Sequence, residues 1–156
     1  MNKNLKISEI CSPEAYQKLK IFIETKHQNF PKLYLIPPEK YFYKSTSHRE
    51  YLSRWMEAMI CNVLNFAGHP TKKVETSGKK IKAKSGKEIW IKHRTSRKGE
   101  PDVMAIINGK ATYFEVKIGK DTLSEDQKQD IEYLTNAGAA VYVVKTVDDF
   151  FKAVNM

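Results

Sequence analysis

The chain divides by hydrophobic period into a helical first part, a strand-rich middle and an alternating helix-strand-helix end. Residues 13 to 28 hold Tyr16, Leu19, Ile21 and Ile23 after Ser12-Pro13, which predicts a helix capped by Ser12. The stretch from Phe30 to Tyr43 carries Pro31, Pro37, Pro38 and five aromatics, and reads as an irregular connector packed on the body. From His48 to Ala67 the apolar positions Leu52, Met56, Met59, Ile60, Val63 and Leu64 recur with helical period, until Gly68 and His69-Pro70 stop them.

Beyond Gly68 the period changes to two. Residues 79 to 83 and 88 to 94 flank Ser85-Gly86 and predict a basic hairpin. Residues 102 to 107 and 110 to 117 flank Asn108-Gly109, the strongest short hairpin signal. Ser124 opens a helix that carries Ile131 and Leu134 and ends near Ala137-Gly138. The run AAVYVV at 139 to 144 predicts a buried strand, and residues 147 to 154 an amphipathic helix. Such an order predicts an α/β fold built around one sheet.

A two-residue turn at Asn108-Gly109 sets residue 107 opposite 110, and therefore Asp102 opposite Glu115. Two like charges facing each other on a sheet are unfavourable and call for compensation. Lys117 projects to the same side as Glu115, two positions on, while Val103, Ala105, Ile107, Thr112, Phe114 and Val116 form the core side. A divalent cation relieves such a carboxylate pair, and Mg2+ in particular binds through one or two carboxylates with waters that phosphate oxygens can displace. Lys117 would then orient or deprotonate an attacking water, or hold the scissile phosphate. Taken alone, the three residues read more readily as a surface-exposed cluster forming a cross-strand salt bridge.

Charge adds a partner. The 156 residues carry a net +9 with a pI near 9.4. The excess is local: residues 71 to 120 hold 14 Lys/Arg against 5 Asp/Glu, whereas residues 121 to 156 hold 3 against 7. Lys79, Lys80, Lys82, Arg94, Arg97 and Lys98 crowd the stretch just before Asp102, a cluster suited to a polyanion. No run of about 18 apolar residues offers a membrane span, and the N-terminus lacks an apolar signal core, so a soluble intracellular chain is expected. Cys11 and Cys61 lie 50 positions apart, which suggests neither a disulfide framework nor a zinc site. The four histidines are scattered without ligand spacing, and no phosphate-binding glycine loop is present.

The segment GEPDVMAIINGKATYFEVK resembles the PD-(D/E)XK nuclease superfamily, with Pro101-Asp102 as the PD and Glu115-Val116-Lys117 as the (D/E)XK. The continuation KIGKDTLSEDQKQDIEYLTNAGAAVYVVKTVDDF is similar to the VRR-NUC branch, as is MEAMICNVLNFAGHPTKK upstream. The likeness spans about residues 53 to 154. It implies a single restriction-endonuclease-like α/β domain, with a mixed sheet in αβββαβ order over residues 47 to 156. About residues 71 to 98 would then be a basic hairpin insertion, and residues 1 to 46 an extra N-terminal helical or irregular segment.

What the resemblance implies for the site is specific. Asp102 and Glu115 would be metal ligands together with the carbonyl of Val116, and Lys117 the catalytic lysine. Gln127 would help to position Lys117 or the water, and Glu57 would be the first-helix acidic residue beside the metal. Ser124-x-x-Gln127 is also a capping box by its residue types, and Glu57 is also readable as a solvated helix position. The implied activity is Mg2+- or Mn2+-dependent DNA endonuclease chemistry. By the same resemblance it is selective for branched or junction DNA, in DNA repair or recombination in the cytoplasm of a bacterial or phage-infected cell. The partner is DNA rather than a membrane, and a homodimer is left open. The competing reading is a non-catalytic nucleic-acid-binding module with a degenerate nuclease fold.

Overall fold

The computed structural model describes residues 7–26, 29–37, 48–74, 79–91 and 97–156. The helices are α1 (Pro13–Lys26), α2 (His48–Phe66), α3 (Glu125–Asn136) and α4 (Val147–Ala153). The strands are β1 (Thr71–Lys73), β2 (Lys79–Lys82), β3 (Glu88–Ile91), β4 (Val103–Ile107), β5 (Lys110–Val116) and β6 (Ala140–Val144). Short 3-10 turns lie at Ile7–Glu9 and Lys32–Leu35.

The main sheet runs β1-β4-β5-β6 and is mixed. β1 and β5 both pair antiparallel with β4, whereas β6 joins β5 in parallel after the crossover through α3. Ile107 pairs with Lys110 and Val103 with Phe114, the register expected from the Asn108-Gly109 turn. Both turn residues have positive φ, 51° at Asn108 and 77° at Gly109, as a type I′ turn requires.

β1 was not foreseen. It is three residues long, two of them lysines, and its pairing partner in β4 lies about 30 positions away, so no local alternation announces it. The basic hairpin forms as expected, with Ile81 opposite Ile89 and Lys82 opposite Glu88. It does not, however, continue into the strand that carries Asp102, because β2 and β3 make a separate two-stranded sheet. An edge of the main sheet is taken by β1 instead.

One apolar core joins these parts. Met56, Met59, Ile60, Val63 and Leu64 of α2 are fully buried, together with Val103, Phe114 and Phe150. Truncating Phe114 to Ala should cost roughly 3–5 kcal/mol. The N-terminal segment enters the same core through Ile7, Ile10, Leu19, Ile23, Phe30 and Tyr34. Ser12 caps α1 by accepting from the Ala15 N–H at 3.1 Å, and the Val147 N–H donates to the Ile10 carbonyl, tying this segment to α4. α2 ends in a Schellman motif: the Gly68 N–H reaches Asn65 and the His69 N–H reaches Leu64, which requires the left-handed Gly68 (φ 89°).

Candidate active site

Three elements meet at the end of the sheet where β4 begins and β5 finishes. Asp102 sits in the bend just before β4, and its Oδ2 accepts the Val116 N–H at 2.8 Å. Strand alternation carries Glu115 and Lys117 to one side, and both are buried, at 1% and 7% exposure. The alternative reading of these residues as a surface-exposed salt bridge does not fit, because the Glu115–Lys117 pair is withdrawn from water. Lys117 Nζ lies 2.9 Å from Glu115 Oε1 and 3.8 Å from Asp121 Oδ2.

The third element is the N-terminus of α3. Ser124 accepts from the Gln127 N–H at 3.2 Å, and Gln127 Oε1 accepts from the Ser124 N–H at 2.9 Å, a complete capping box. The same side chain turns its Nε2 to donate to Glu115 Oε1 at 2.6 Å. Capping and site contact, which the residue pattern alone leaves as rivals, are therefore both made by Gln127.

Glu115 thus has one oxygen held by two donors and the other, Oε2, buried without a hydrogen-bond partner. Burial, and next the charge of Asp102, push the Glu115 carboxyl up to about 7. The Asp102 carboxyl is raised as well, chiefly by burial, against the opposing bond from Val116 and with Glu57 adding to it. A buried carboxylate with a bare oxygen, its ionisation further disfavoured by a half-buried second carboxylate, fits a hard, oxygen-seeking divalent cation.

Glu57 lies on α2, buried, and its Oε1 accepts from Ser53 Oγ at 3.1 Å. Its Oε2 is ion-paired with Lys73 of β1, so its carboxylate is neutralised by a lysine. Among the described residues, no three His, Cys, Asp or Glu side chains converge into a ready cage. Val116 is buried at the end of β5 and contributes its N–H to Asp102.

The expected basic residues distribute unevenly. Lys82 and Lys98 are exposed. Arg94 lies outside the described residues, as do the side chains of Lys79 and Lys80. Arg97, counted among the phosphate-binding cations by its place in the cluster, is exposed yet ion-paired. Its Nε lies 2.7 Å from Asp130 Oδ1 and its Nη2 3.2 Å from Oδ2, while the guanidinium stacks over Tyr133 and reaches Glu100 at 3.4 Å. Asp130 is buried on α3. Two positions on, Gly99 (φ 77°) lies so close to α3 that an added Cβ would stand 2.4 Å from the Asp126 carbonyl. The segment leading to Asp102 is thus clamped onto the helix that presents Gln127. Sequence reading missed this clamp, because Arg97 and Asp130 lie 33 positions apart; the turn residue Gly99 was its one local trace.

The VRR-NUC domain family matches residues 39–148 of the chain. The chain belongs to the VRR-NUC family. Membership implies a nuclease-like function with DNA as the substrate class, in a family whose members typically depend on a divalent metal. A solved structure titled "VRR_NUC domain" is similar to this VRR-NUC chain, at 18% identity and a TM-score of 0.47, over 66% of this chain and 94% of that one. No curated protein matches the chain. No described helix is long and apolar enough to cross a membrane.

Proposed function

We propose that this VRR-NUC domain is a divalent-metal-dependent DNA endonuclease of PD-(D/E)XK type, with Asp102 and Glu115 as the metal-binding carboxylates. The observation that carries this reading is the state of Glu115: one oxygen is fixed by Lys117 and Gln127, and the other is buried, bare and beside a second carboxylate. Leaving such an oxygen unpartnered is costly, and a cation offsets that cost. Bound there, a divalent ion such as Mg2+ or Mn2+ would supply Lewis-acid stabilisation of phosphate charge and acidify a water.

The chain's own residues do the rest. Gln127 fixes the carboxylate plane of Glu115 through Oε1, which directs Oε2 to its free side. Lys117 keeps a positive charge within 2.9 Å of that carboxylate, where it orients the attacking water or holds the scissile phosphate as charge builds. Val116 steadies Asp102 through its backbone N–H, and its carbonyl is the third oxygen we assign to the ion. Glu57 is assigned an outer role beside the ion, with Lys73 as its counter-charge. Exposed Lys82 and Lys98, with Lys79, Lys80 and Arg94, contact backbone phosphates without reading sequence, and Arg97 anchors their stretch to α3.

The test is incubation of purified protein with supercoiled plasmid, single strands and four-way junctions, in Mg2+, Mn2+ or chelator. Metal-dependent cutting that favours the junction supports the reading, including selectivity for branched DNA. Full activity in chelator, or none with either metal on any substrate, would sink it.

A further inference from the structure

Glu57 is a buried carboxylate that draws a counter-charge from an exposed strand. Its side chain is 7% exposed on α2, whereas that of Lys73, its ion-pair partner on β1, is 51% exposed. Ser53 Oγ donates to Oε1 at 3.1 Å, and the Lys73 ammonium lies beside Oε2. A buried charge stripped of its partner is strongly unfavourable. A lysine ammonium, by contrast, is a compact, hydrated charge on a flexible stem, and from a half-exposed position it can turn to a phosphate outside.

The pair borders the candidate metal site. Lys73 is opposite Val103 across β1 and β4, and the next residue, Val74, donates its N–H to the Asp102 carbonyl at 2.8 Å. After burial and the bond from Val116, the influences on the Asp102 carboxyl include Glu57, which raises it, and Lys73, which lowers it. Both side chains also line an opening of about 590 Å³ between α2 and β1.

We propose that Lys73 is an exchangeable counter-ion that couples DNA binding to metal binding: a backbone phosphate draws its ammonium off Glu57, which leaves Glu57 to balance the divalent ion held at Asp102 and Glu115. The inference rests on the nuclease reading above for both the ion and the phosphate. If the ammonium leaves alone, a buried carboxylate is stranded. If it stays while the ion is bound, two cations stand close together. Each change is unfavourable by itself and each offsets the other, which amounts to a coupling free energy between two sites. Such coupling is reciprocal, so DNA tightens the ion by the factor by which the ion tightens DNA.

The experiment measures the Mg2+ affinity of the full chain by calorimetry, with and without a saturating short duplex whose linkages are phosphorothioates that resist cutting. DNA should raise the affinity of the parent by about tenfold. In Lys73→Ala the affinity without DNA should already be high, and DNA should add less than about twofold. Lys72→Ala, which removes the neighbouring charge, should keep the response of the parent. Should Lys73→Ala not fold, Glu57→Gln takes its place and should likewise lose the response. A full response in the variant used, or an equal loss in Lys72→Ala, would overturn the proposal.

A second arm needs no metal and no turnover. In chelator, Glu57→Gln frees Lys73 for DNA, so duplex affinity read by anisotropy should rise severalfold and its salt slope by about 0.9. Neither change should appear when Lys73→Ala is also present. No gain, or a gain that persists without Lys73 and so reflects plain repulsion by Glu57, overturns the exchange. A parent that binds no Mg2+ refutes the metal-dependent nuclease reading, and the chelator arm then decides by itself whether DNA draws Lys73 from Glu57.

Discussion

The side-chain amide of Gln127 joins a helix cap to the carboxylate of Glu115. Its oxygen accepts the Ser124 N–H and its nitrogen donates to Glu115 Oε1 at 2.6 Å, so the start of α3 and the end of β5 are held by a single planar group. A planar amide can do this because its donor and acceptor point in fixed, different directions. Glu at this position could serve the cap but not the strand.

Gln127→Glu tests that division. The cap survives, since a carboxylate accepts from the Ser124 N–H as the amide oxygen does. The contact with Glu115 becomes carboxylate against carboxylate. Cleavage should slow by about tenfold or more, with a melting temperature that falls at neutral pH and recovers as the pair takes up a proton. Gln127→Ala loses both contacts and should cost about 1 kcal/mol from the cap alone. Parent cleavage rates in Gln127→Glu would leave Gln127 as a cap only.

Glu115 makes stability depend on pH. Its carboxyl is raised from 4.5 to about 7, first by burial and then by Asp102, so the fold favours the protonated form. The stability this confers is complete below 4.5 and is lost as pH rises through about 7. Without divalent ions, the melting temperature of the parent should decline over this window, while Glu115→Gln should decline less and melt higher on the alkaline side. Adding Mg2+ at the alkaline end should raise the melting temperature of the parent and not that of Glu115→Gln. A parent that shows neither the decline nor the Mg2+ effect speaks against both the raised carboxyl and the ion site.

Gly99 should be sensitive out of proportion to its place in a surface turn. Gly86 has a similar φ, 79°, with nothing within 4 Å of an added Cβ, so Gly86→Ala should cost only the left-handed penalty of roughly 1–2 kcal/mol. Gly99→Ala adds a collision with the backbone of Asp126 and Gln127. It should melt well below Gly86→Ala and lose the Mg2+-induced rise in melting temperature, because the displaced turn carries Gln127 away from Glu115. Equal melting of the two variants would refute the close packing.

What could be read in advance followed from local chemistry. Asn108-Gly109 forces a two-residue turn, the turn forces the register, and the register brings Asp102 toward Glu115 with Lys117 on the same side. Ser124 and Gln127 marked the start of α3 by the same kind of short-range logic. The rest depends on contacts between distant segments. Thr71–Lys73 forms a strand only because β4 offers it an edge, and its composition alone would suit a solvated loop. Lys73 against Glu57 and Arg97 against Asp130 are long-range ion pairs that charge counting merges into a general basic excess. That counting placed Arg97 with the phosphate-binding cations, whereas its guanidinium faces a buried aspartate.

The last expectation separates Arg97 from its neighbours in the cluster. Asp130 is 6% exposed, so removing its guanidinium leaves a buried charge with its two bonds gone. An orphaned buried acceptor costs roughly 1–3 kcal/mol, and the partial exposure of Arg97 argues for the lower half of that range. Lys82 and Lys98 are exposed, and replacing either by Ala should leave stability within about 0.5 kcal/mol. In DNA binding the order reverses. Each lysine that touches a phosphate should reduce the salt slope on duplex DNA by about 0.9 when removed. Arg97→Ala should leave that slope unchanged while the protein stays folded. A double-mutant cycle with Asp130→Asn should give a coupling energy of about 0.5–3 kcal/mol between the two residues. Denaturant melting and salt-dependent anisotropy on the same variants decide the matter. If Arg97→Ala is as stable as the parent and lowers the slope, the guanidinium leaves Asp130 for the DNA and the clamp on α3 is not what holds this segment.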